Sequence, residues 1–261
     1  MHNSLQEKRH RLFVFLAGIF ITNALLAEMI GVKIFSAEGT FGFNPVNLNL
    51  MGFVMDFNLT AGAVIWPIVF VTTDLVNEYF GKPGVRRISY FTAALIAYAF
   101  VVVFITIRLS PADFWIDTNS KDPEGNFFNI DFAFNKIFGQ GQRIIIGSLS
   151  AFLIGQLVDV FVFQQLRRFT GSKMLWLRAT GSTLVSQFVD SFVVLYIAFS
   201  GIFTNKQIIA IGITNYIYKF VVAIALTPLI YIGHSMIDRY LGKENADKIS
   251  ADAARKSEGF F

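Results

Sequence analysis

The chain has 261 residues, of which 54% are hydrophobic and 15% are charged, and its mean hydropathy is +0.55. Because an ordinary soluble domain carries about 25% charged residues, this composition excludes a soluble enzyme, a secreted module and a nucleic-acid-binding protein, and it predicts an integral membrane protein. The net charge of +4 is then expected to reflect orientation in the lipid bilayer rather than an anionic partner, and the absence of Cys excludes disulfides and thiolate metal sites.

Six apolar stretches are long enough to cross a membrane as helices, because about 20 residues span the ~30 Å hydrocarbon core. They cover residues 12–31, 60–80, 88–109, 143–165, 176–200 and 207–233. The sequence therefore predicts an all-α integral membrane protein with six transmembrane helices, forming a single domain over residues 1–240. Residues 241–261 are rich in charged side chains and are predicted to form a cytoplasmic tail.

Basic residues distinguish the two sides of the membrane. Fifteen Lys and Arg lie at the N-terminus, in the second and fourth connections and in the tail, whereas six lie in or beside the first, third and fifth connections. By the positive-inside rule, both termini are predicted to be cytoplasmic, in a multi-pass protein of the inner (plasma) membrane.

Two of the outer connections are long. Residues 34–59 alternate apolar and polar side chains around Met51-Gly52, which predicts a short hairpin on the outer side of the membrane. Residues 110–142 carry five acidic side chains and are predicted to form an exposed outer loop.

The fourth and fifth predicted helices contain a repeat at an offset of 31 residues. Residues 151–163 and 182–194 are identical at six of thirteen positions, including two Gln-x-x-Asp pairs. The repeated polar residues are Gln156, Asp159, Gln187 and Asp190. Residues three apart share a helix face, and Phe152 lies on that face of the fourth helix. Consecutive helices run antiparallel, so the repeat is inverted, as in many transporters, and each Asp is expected to lie level with the Gln of the other helix.

These polar faces suit a planar, nitrogen-rich ligand. A carboxylate accepts two parallel N–H bonds, and an amide both donates and accepts. A guanine-like ring presents the complementary groups and a flat surface for aromatic stacking. An ionised carboxylate at membrane depth costs at least about 2.5 kcal/mol, which favours a functional role. The alternative, that the four side chains only hydrogen-bond neighbouring helices, stays open.

A second polar face lies in the sixth predicted helix, where Asn215 precedes Lys219 by one turn. Lys219 is expected either to form an ion pair with Asp159 or Asp190, or to contact the ligand or a gate. Both interpretations remain open on sequence alone.

The second predicted helix ends in the run Thr73-Asp-Leu-Val-Asn-Glu-Tyr-Phe-Gly-Lys82, and Pro67 near its start is expected to kink it. The candidate binding residues in this helix are Asp74, Asn77 and Glu78. The alternative for Glu78 is an ion pair with Lys82 at a helix end capped by Gly81.

This run resembles the signature of the queuosine precursor transporter family, also called the vitamin uptake transporter family, in which Asp-x-x-Asn-Glu is followed by an aromatic residue, Gly and basic residues. The resemblance covers about residues 12–240 and includes residues 23–33, the Gln-x-x-Asp repeats and residues 218–228. It adds Asn23 to the candidate substrate-binding residues. Relative to this family, the outer connections 34–59 and 110–142 look long.

The resemblance implies a six-helix fold similar to the substrate-binding component of energy-coupling-factor transporters. It also implies import of a queuosine precursor, a 7-deazaguanine base such as queuine, 7-cyano-7-deazaguanine or 7-aminomethyl-7-deazaguanine, for tRNA modification. The chain has no phosphate-binding loop for ATP hydrolysis. The energy source of import therefore remains open among facilitated diffusion, proton coupling and energisation by a partner. A homodimer is also possible on sequence alone.

Two other functions are alternatives to this interpretation. One is uptake of another purine-like or vitamin-like molecule through the same face. The other is an intramembrane enzyme, which the sequence disfavours because the three histidines, His2, His10 and His234, lie outside the predicted spans. No catalytic residue, metal or cofactor is therefore expected.

Overall fold

The structure, a computed structural model, describes residues 2–139, 142–171 and 173–258 and is built mainly from helices. The α-helices of this part are α1 His2–Ile30, α2 Ala37–Phe41, α3 Trp66–Thr106, α4 Asp113–Thr118, α5 Ile130–Phe138, α6 Gln142–Thr170, α7 Leu175–Phe199, α8 Asn205–Ala225, α9 Thr227–Leu241 and α10 Lys243–Glu258. The strands are β1 Ile34–Ser36, β2 Leu48–Leu50, β3 Phe53–Met55 and β4 Asn58–Thr60, and a 3₁₀-helix covers Ala61–Val64.

Five helices in the described part of the chain are long and apolar enough to cross a membrane. Their spans are Leu5–Ile30, Trp66–Thr106, Ile146–Thr170, Leu175–Phe199 and Asn205–Ala225. The chain is therefore an α-helical, multi-pass membrane protein, as its composition predicts.

The second and third predicted spans, residues 60–80 and 88–109, together correspond to the single helix α3. At 1.5 Å per residue, its 41 residues would measure about 60 Å if straight, roughly twice the hydrocarbon thickness. Gly81 interrupts the helix with a non-helical backbone, φ 67° and ψ −170°. Thus α3 consists of a first segment, residues 66–80, and a second segment, residues 82–106.

The kink in α3 corrects two expectations from the sequence. Pro67 lies in the first turn of α3, where a missing N–H is tolerated, so it does not kink the helix. Gly81 does not end a helix but joins two segments, and a Cβ there would lie 2.6 Å from both the Ala253 carbonyl oxygen and Ser257 Oγ. Glycine is required at this position by both the positive φ and the close approach of α10.

The sixth predicted span, residues 207–233, is also interrupted. Helix α8 ends at Ala225 and α9 begins at Thr227, with Pro228 in its first turn. Pro228 has no N–H to donate, and its ring would clash with the carbonyl of Ile224, four residues earlier, in a continuous helix.

Residues 34–60 form two antiparallel strand pairs between α1 and α3. Strands β2 and β3 form the predicted hairpin, with positive φ at Met51 and Gly52 in its turn. Strands β1 and β4 pair outside it and bring the chain back to the start of α3. The acidic connection, predicted as an exposed loop, contains the short helices α4 and α5.

The main core lies where α1, α3 and α6 meet and includes the buried side chains of Phe20, Val76 and Phe152. Helix α6 packs against α7, and α7 packs against α8. Most of the predicted tail forms α10, which packs against α3 through the buried Ala246, Ile249 and Ala253. These contacts surround two cavities at different levels of the bundle.

Candidate substrate site

A cavity of about 560 Å³ lies among α1, α3, α6, α7 and α8. Its volume suits a small organic molecule, since ligand pockets commonly measure about 300–1,000 Å³. Five of the sequence-predicted site residues line it: Asp74, Phe152, Asp190, Asn215 and Lys219. We call this space the upper cavity.

An ion pair forms one wall of the upper cavity. Lys219 Nζ lies 2.5 Å from Asp190 Oδ2, and both side chains remain about one-fifth exposed, at 22% and 23%. Asn215, one turn before Lys219 on α8, lines the same wall. The pair satisfies the first interpretation of Lys219, and its exposure leaves the second Asp190 oxygen and two ammonium donors available to a ligand.

Aromatic rings form another part of the lining. Trp66 stacks on Phe70 with ring centroids 5.9 Å apart and an interplanar angle of 16°. Phe152 lies 5.8 Å from Trp66. Three rings from α3 and α6 therefore border the cavity that holds the ion pair, and they provide a surface on which a planar base can stack.

The other Gln-x-x-Asp residues lie beside the upper cavity rather than in it. Gln156, Asp159 and Gln187 line a cleft of about 20 Å³, bordered also by Asp190. This volume is of the order of a single water, too small for a ring. These three residues therefore do not border the larger space in this conformation.

The register of the inverted repeat is as predicted. Ser186, next to Gln187, donates to Asp159 Oδ1 over 3.2 Å. A Cβ placed at Gly155, next to Gln156, would lie 3.5 Å from Asp190 Cβ. Each Asp therefore lies level with the Gln of the other helix.

The three candidates of the second-helix motif lie at successive depths. Asp74 is buried at the floor of the upper cavity. Asn77 is fully buried and accepts a 2.7 Å hydrogen bond from Gln164 Nε2. Glu78 borders a second, lower cavity of about 620 Å³, which α3, α6, α9 and α10 enclose.

Glu78 is held by two arginines rather than by Lys82. Arg178 lies 3.0 Å and Arg167 3.4 Å from its carboxylate, and Ser250 Oγ donates to it over 2.8 Å. The predicted ion pair at a helix end is therefore wrong, because α3 continues past Gly81 and turns Glu78 into the bundle.

Asn23 lies apart from the upper cavity. Its side-chain amide donates to the Ile19 carbonyl on the preceding turn of α1 over 2.8 Å. The amide is thus used within its own helix, and the structure does not bring it together with the other candidates.

Sequence reasoning missed several residues of these two cavities. Glu28 is buried in the upper-cavity wall and accepts a 2.5 Å hydrogen bond from Ser148, and a carboxylate inside a predicted span is a signal that could have found it. The basic-residue pattern groups Arg178 with the cytoplasmic connections, but its side chain is 1% exposed within α7. For Trp66 and Phe70, the only feature of the sequence that could have indicated a shared role in the cavity is their spacing of one helical turn.

Comparison with known proteins identifies the family. Residues 60–233 match the family model described as "Putative vitamin uptake transporter". The chain belongs to this family. The resemblance drawn from the second-helix motif is thereby confirmed.

Relatives of known name support the same family. The chain is 34% identical over 214 residues to the "Probable queuosine precursor transporter" of Bacillus subtilis (strain 168), which covers 78% of this chain and 87% of that protein. It is 28% identical over 207 residues to the "Queuosine precursor transporter" of Escherichia coli (strain K12), covering 78% and 84%. No solved structure gives a significant match.

Proposed function

We propose that this protein is a transporter, not an enzyme, and that it imports a queuosine precursor, a 7-deazaguanine base, for tRNA modification. The names of the relatives in Bacillus subtilis and Escherichia coli support the substrate class. The chain's own geometry supports it independently, through the chemistry of the upper cavity.

The observation that carries the proposal is the pairing of an aromatic wall with a polar wall in one cavity. In the proposed complex the base stacks on Trp66, Phe70 and Phe152. Its ring N–H and exocyclic amine donate to the free oxygen of Asp190, and its carbonyl accepts from Lys219. Asn215 can donate or accept at the remaining edge. Asp74 closes the floor beneath the base.

We further propose that the chain crosses the inner membrane six times with both termini in the cytoplasm. The kink at Gly81 supports two crossings by α3, and the four other apolar spans complete the six. The basic residues at both termini and in the Gly81 and α6–α7 connections support this orientation. In this proposal residues 1–240 form one domain, similar in helix number to the substrate-binding component of energy-coupling-factor transporters, and residues 241–261 a cytoplasmic tail.

Restoration of queuosine tests the function. A bacterial strain that can neither synthesise nor import the precursor is given this gene and supplied with each of the three bases at low concentration. Queuosine should reappear in its tRNA with at least one base. A variant with both Asp190→Asn and Lys219→Met, expressed at equal membrane level, should restore none.

Competition by guanine separates this function from general purine uptake. Excess guanine competes weakly if the site reads the substituent at position seven and strongly if it reads only the shared pyrimidine edge. Well-expressed protein that restores no queuosine with any of the three bases would contradict the proposed substrate.

A further inference from the structure

Two buried carboxyl groups lie at the same level on neighbouring helices beneath the upper cavity. Asp74 on α3 is 2% exposed and Asp159 on α6 is 5% exposed. Hydrogen bonds from α3 to α6 bracket them, with Thr73 Oγ1 3.2 Å from Gln156 Oε1 above and Asn77 bonded to Gln164 below. We call Asp74 and Asp159 the carboxyl pair.

Each member of the carboxyl pair has an unsatisfied oxygen. Asp159 Oδ1 accepts from Ser186, but Asp159 Oδ2 and Asp74 Oδ1 are buried and have no hydrogen-bond partner among the described residues. A buried, ionised carboxylate without full hydrogen bonding is strongly disfavoured. A bound proton would remove the charge on one group.

The carboxyl pair also lacks a cation. None of the ion pairs within residues 2–139, 142–171 and 173–258 includes Asp74 or Asp159. The two Asp residues of the inverted repeat differ in this respect. Asp190 is neutralised by Lys219, while Asp159 has no such partner in this part of the chain. The inverted repeat therefore carries one fixed ion pair and one uncompensated carboxyl.

The charged groups around the carboxyl pair do not supply the missing charge. The charged and titratable groups that line the two cavities, together with Arg178, are Glu28 on α1, Glu78 and Tyr79 on α3, Lys136 on α5, Arg167 and Arg168 on α6, Arg178 and Asp190 on α7, Tyr218 and Lys219 on α8, His234 and Asp238 on α9 and Asp247 on α10. Two of the cations, Arg167 and Arg178, are held by Glu78, and this triad has one surplus positive charge. None of these cations forms an ion pair with Asp74 or Asp159 within the described residues. Two neighbouring buried carboxyl groups without a cation favour one bound proton, because it removes the repulsion between two carboxylates.

The carboxyl pair also lies between the two cavities. Asp74 borders the upper cavity, while Gln164, which bonds Asn77 just below the pair, borders the lower cavity. A proton on the pair thus lies at the edge of the upper cavity and is separated from the lower cavity by the hydrogen bond between Asn77 and Gln164.

We infer that the Asp74–Asp159 carboxyl pair binds one proton that crosses the membrane together with the substrate, so that import is driven by the proton gradient. The proton enters from the outer solution, forms an O–H bond with one carboxylate and leaves to the cytoplasm when the bundle opens to the lower cavity. This inference rests on the proposed function, because it requires a transported substrate.

Purified protein in liposomes tests the inference. Transport itself is measured first, without a pH gradient, as the exchange of a labelled base across the bilayer. The bases are 7-cyano-7-deazaguanine, 7-aminomethyl-7-deazaguanine and queuine. An acidic outer solution should then accelerate net influx at least fivefold, and a trapped pH dye should report acidification that depends on the added base.

Variants locate the proton. In Asp159→Asn and Asp74→Asn, any residual influx should be the same with and without the gradient. Asp190→Asn should transport more slowly but keep the acceleration, and Glu124→Gln, an exposed acid in the connection between α4 and α5, should behave as wild type. If the pH gradient still accelerates influx in both Asp74→Asn and Asp159→Asn, the inference is overturned.

Infrared spectroscopy gives a readout that does not require transport. Wild-type protein should show a carboxylic-acid C=O band near neutral pH that disappears in alkaline solution. The band should weaken in Asp159→Asn or Asp74→Asn but not in Asp190→Asn, and any contribution from the buried Glu28 is common to all of these proteins. Absence of the band from folded wild-type protein would overturn the inference.

The two claims fail in different ways. Exchange that is insensitive to the gradient would overturn proton coupling and leave the transport function intact. Absence of exchange with all three bases would overturn the proposed substrate and, with it, the coupling.

Discussion

Asp190 and Lys219 are the residues on which substrate recognition most depends in this account. Each compensates the other in a membrane interior, so neutralising one leaves the other as an unbalanced charge. Asp190→Asn and Lys219→Met should each reduce uptake at least tenfold, about 1.4 kcal/mol, and should lower the membrane level. The double variant should regain the membrane level but not uptake, as immunoblots and uptake of labelled base would measure. Wild-type uptake in either single variant would contradict a role in recognition.

Trp66 tests the aromatic wall. Stacking of a base on an aromatic side chain is worth about 1–3 kcal/mol by alanine substitution, so Trp66→Ala should raise KM for the base about 5- to 150-fold, while Trp66→Phe should retain most of the affinity. Trp176→Ala is the matched control, because Trp176 is 46% exposed and lies outside the upper cavity. Equal KM values for Trp66→Ala and the control would show that the base does not stack there.

Helix α3 depends on Gly81 for its two-segment form. Alanine at φ 67° and ψ −170° is strained by about 1–3 kcal/mol, and its Cβ would displace α10 from the Ala253 carbonyl. Gly81→Ala should therefore lower the melting temperature in detergent and expose α10 to proteolysis.

Gly18→Ala is the control for this substitution. Gly18 is helical within α1, and a Cβ added there would meet no atom within 4 Å, so alanine should be neutral or slightly stabilising. If both variants melt at the wild-type temperature, the kink does not require glycine.

Features set by local pattern could be predicted from the sequence. The hairpin around Met51-Gly52 follows from strand alternation and turn chemistry. The level of Asp159 with Gln187 follows from the inverted repeat, and Ser186, next to Gln187, donates to Asp159. The sequence identifies an α-helical membrane protein, but it does not show that the second and third predicted spans form the single helix α3 or that the sixth divides into α8 and α9. At the junction of the two α3 segments, Ser257, 175 residues from Lys82, accepts the Lys82 N–H. Gly81 and Pro83 mark a break in the sequence, but no local pattern reveals this contact with α10.

The candidate site could be predicted only in part, because it too depends on contacts between residues far apart in the sequence. Asp190, Lys219, Asn215 and Phe152 share a cavity, but the sequence could not show that Asp159 lies level with Asp74 or that Arg178 reaches Glu78. Those arrangements depend on how three helices pack. Side-chain type identified the chemistry of these residues, whereas their division between substrate, proton and structural contacts depends on the fold.

The orientation of the whole molecule has a direct test, because the chain has no native Cys. A cysteine at Glu124, exposed in the connection between α4 and α5, should react with a membrane-impermeant thiol reagent in intact cells. A cysteine at Lys256, exposed on α10, should react only after the cells are permeabilised. The opposite labelling would overturn the proposed orientation and the direction of transport.

At the scale of the whole molecule, an upper cavity and a lower cavity are separated by the carboxyl pair and by the hydrogen bond between Asn77 and Gln164. Such an arrangement suits alternating access, in which one cavity opens while the other closes. Helix α10 covers the lower cavity through Ser250, which bonds both Glu78 and Arg167.

The central claim is that this bundle carries a 7-deazaguanine base across the membrane, and uptake by the purified protein measures it most directly. Liposomes containing the wild-type protein should accumulate labelled 7-cyano-7-deazaguanine, 7-aminomethyl-7-deazaguanine or queuine above the level of empty liposomes. Liposomes containing the Asp190→Asn/Lys219→Met variant should match the empty ones. Equal uptake by wild-type and empty liposomes for all three bases, with folded protein in the bilayer, would contradict the account.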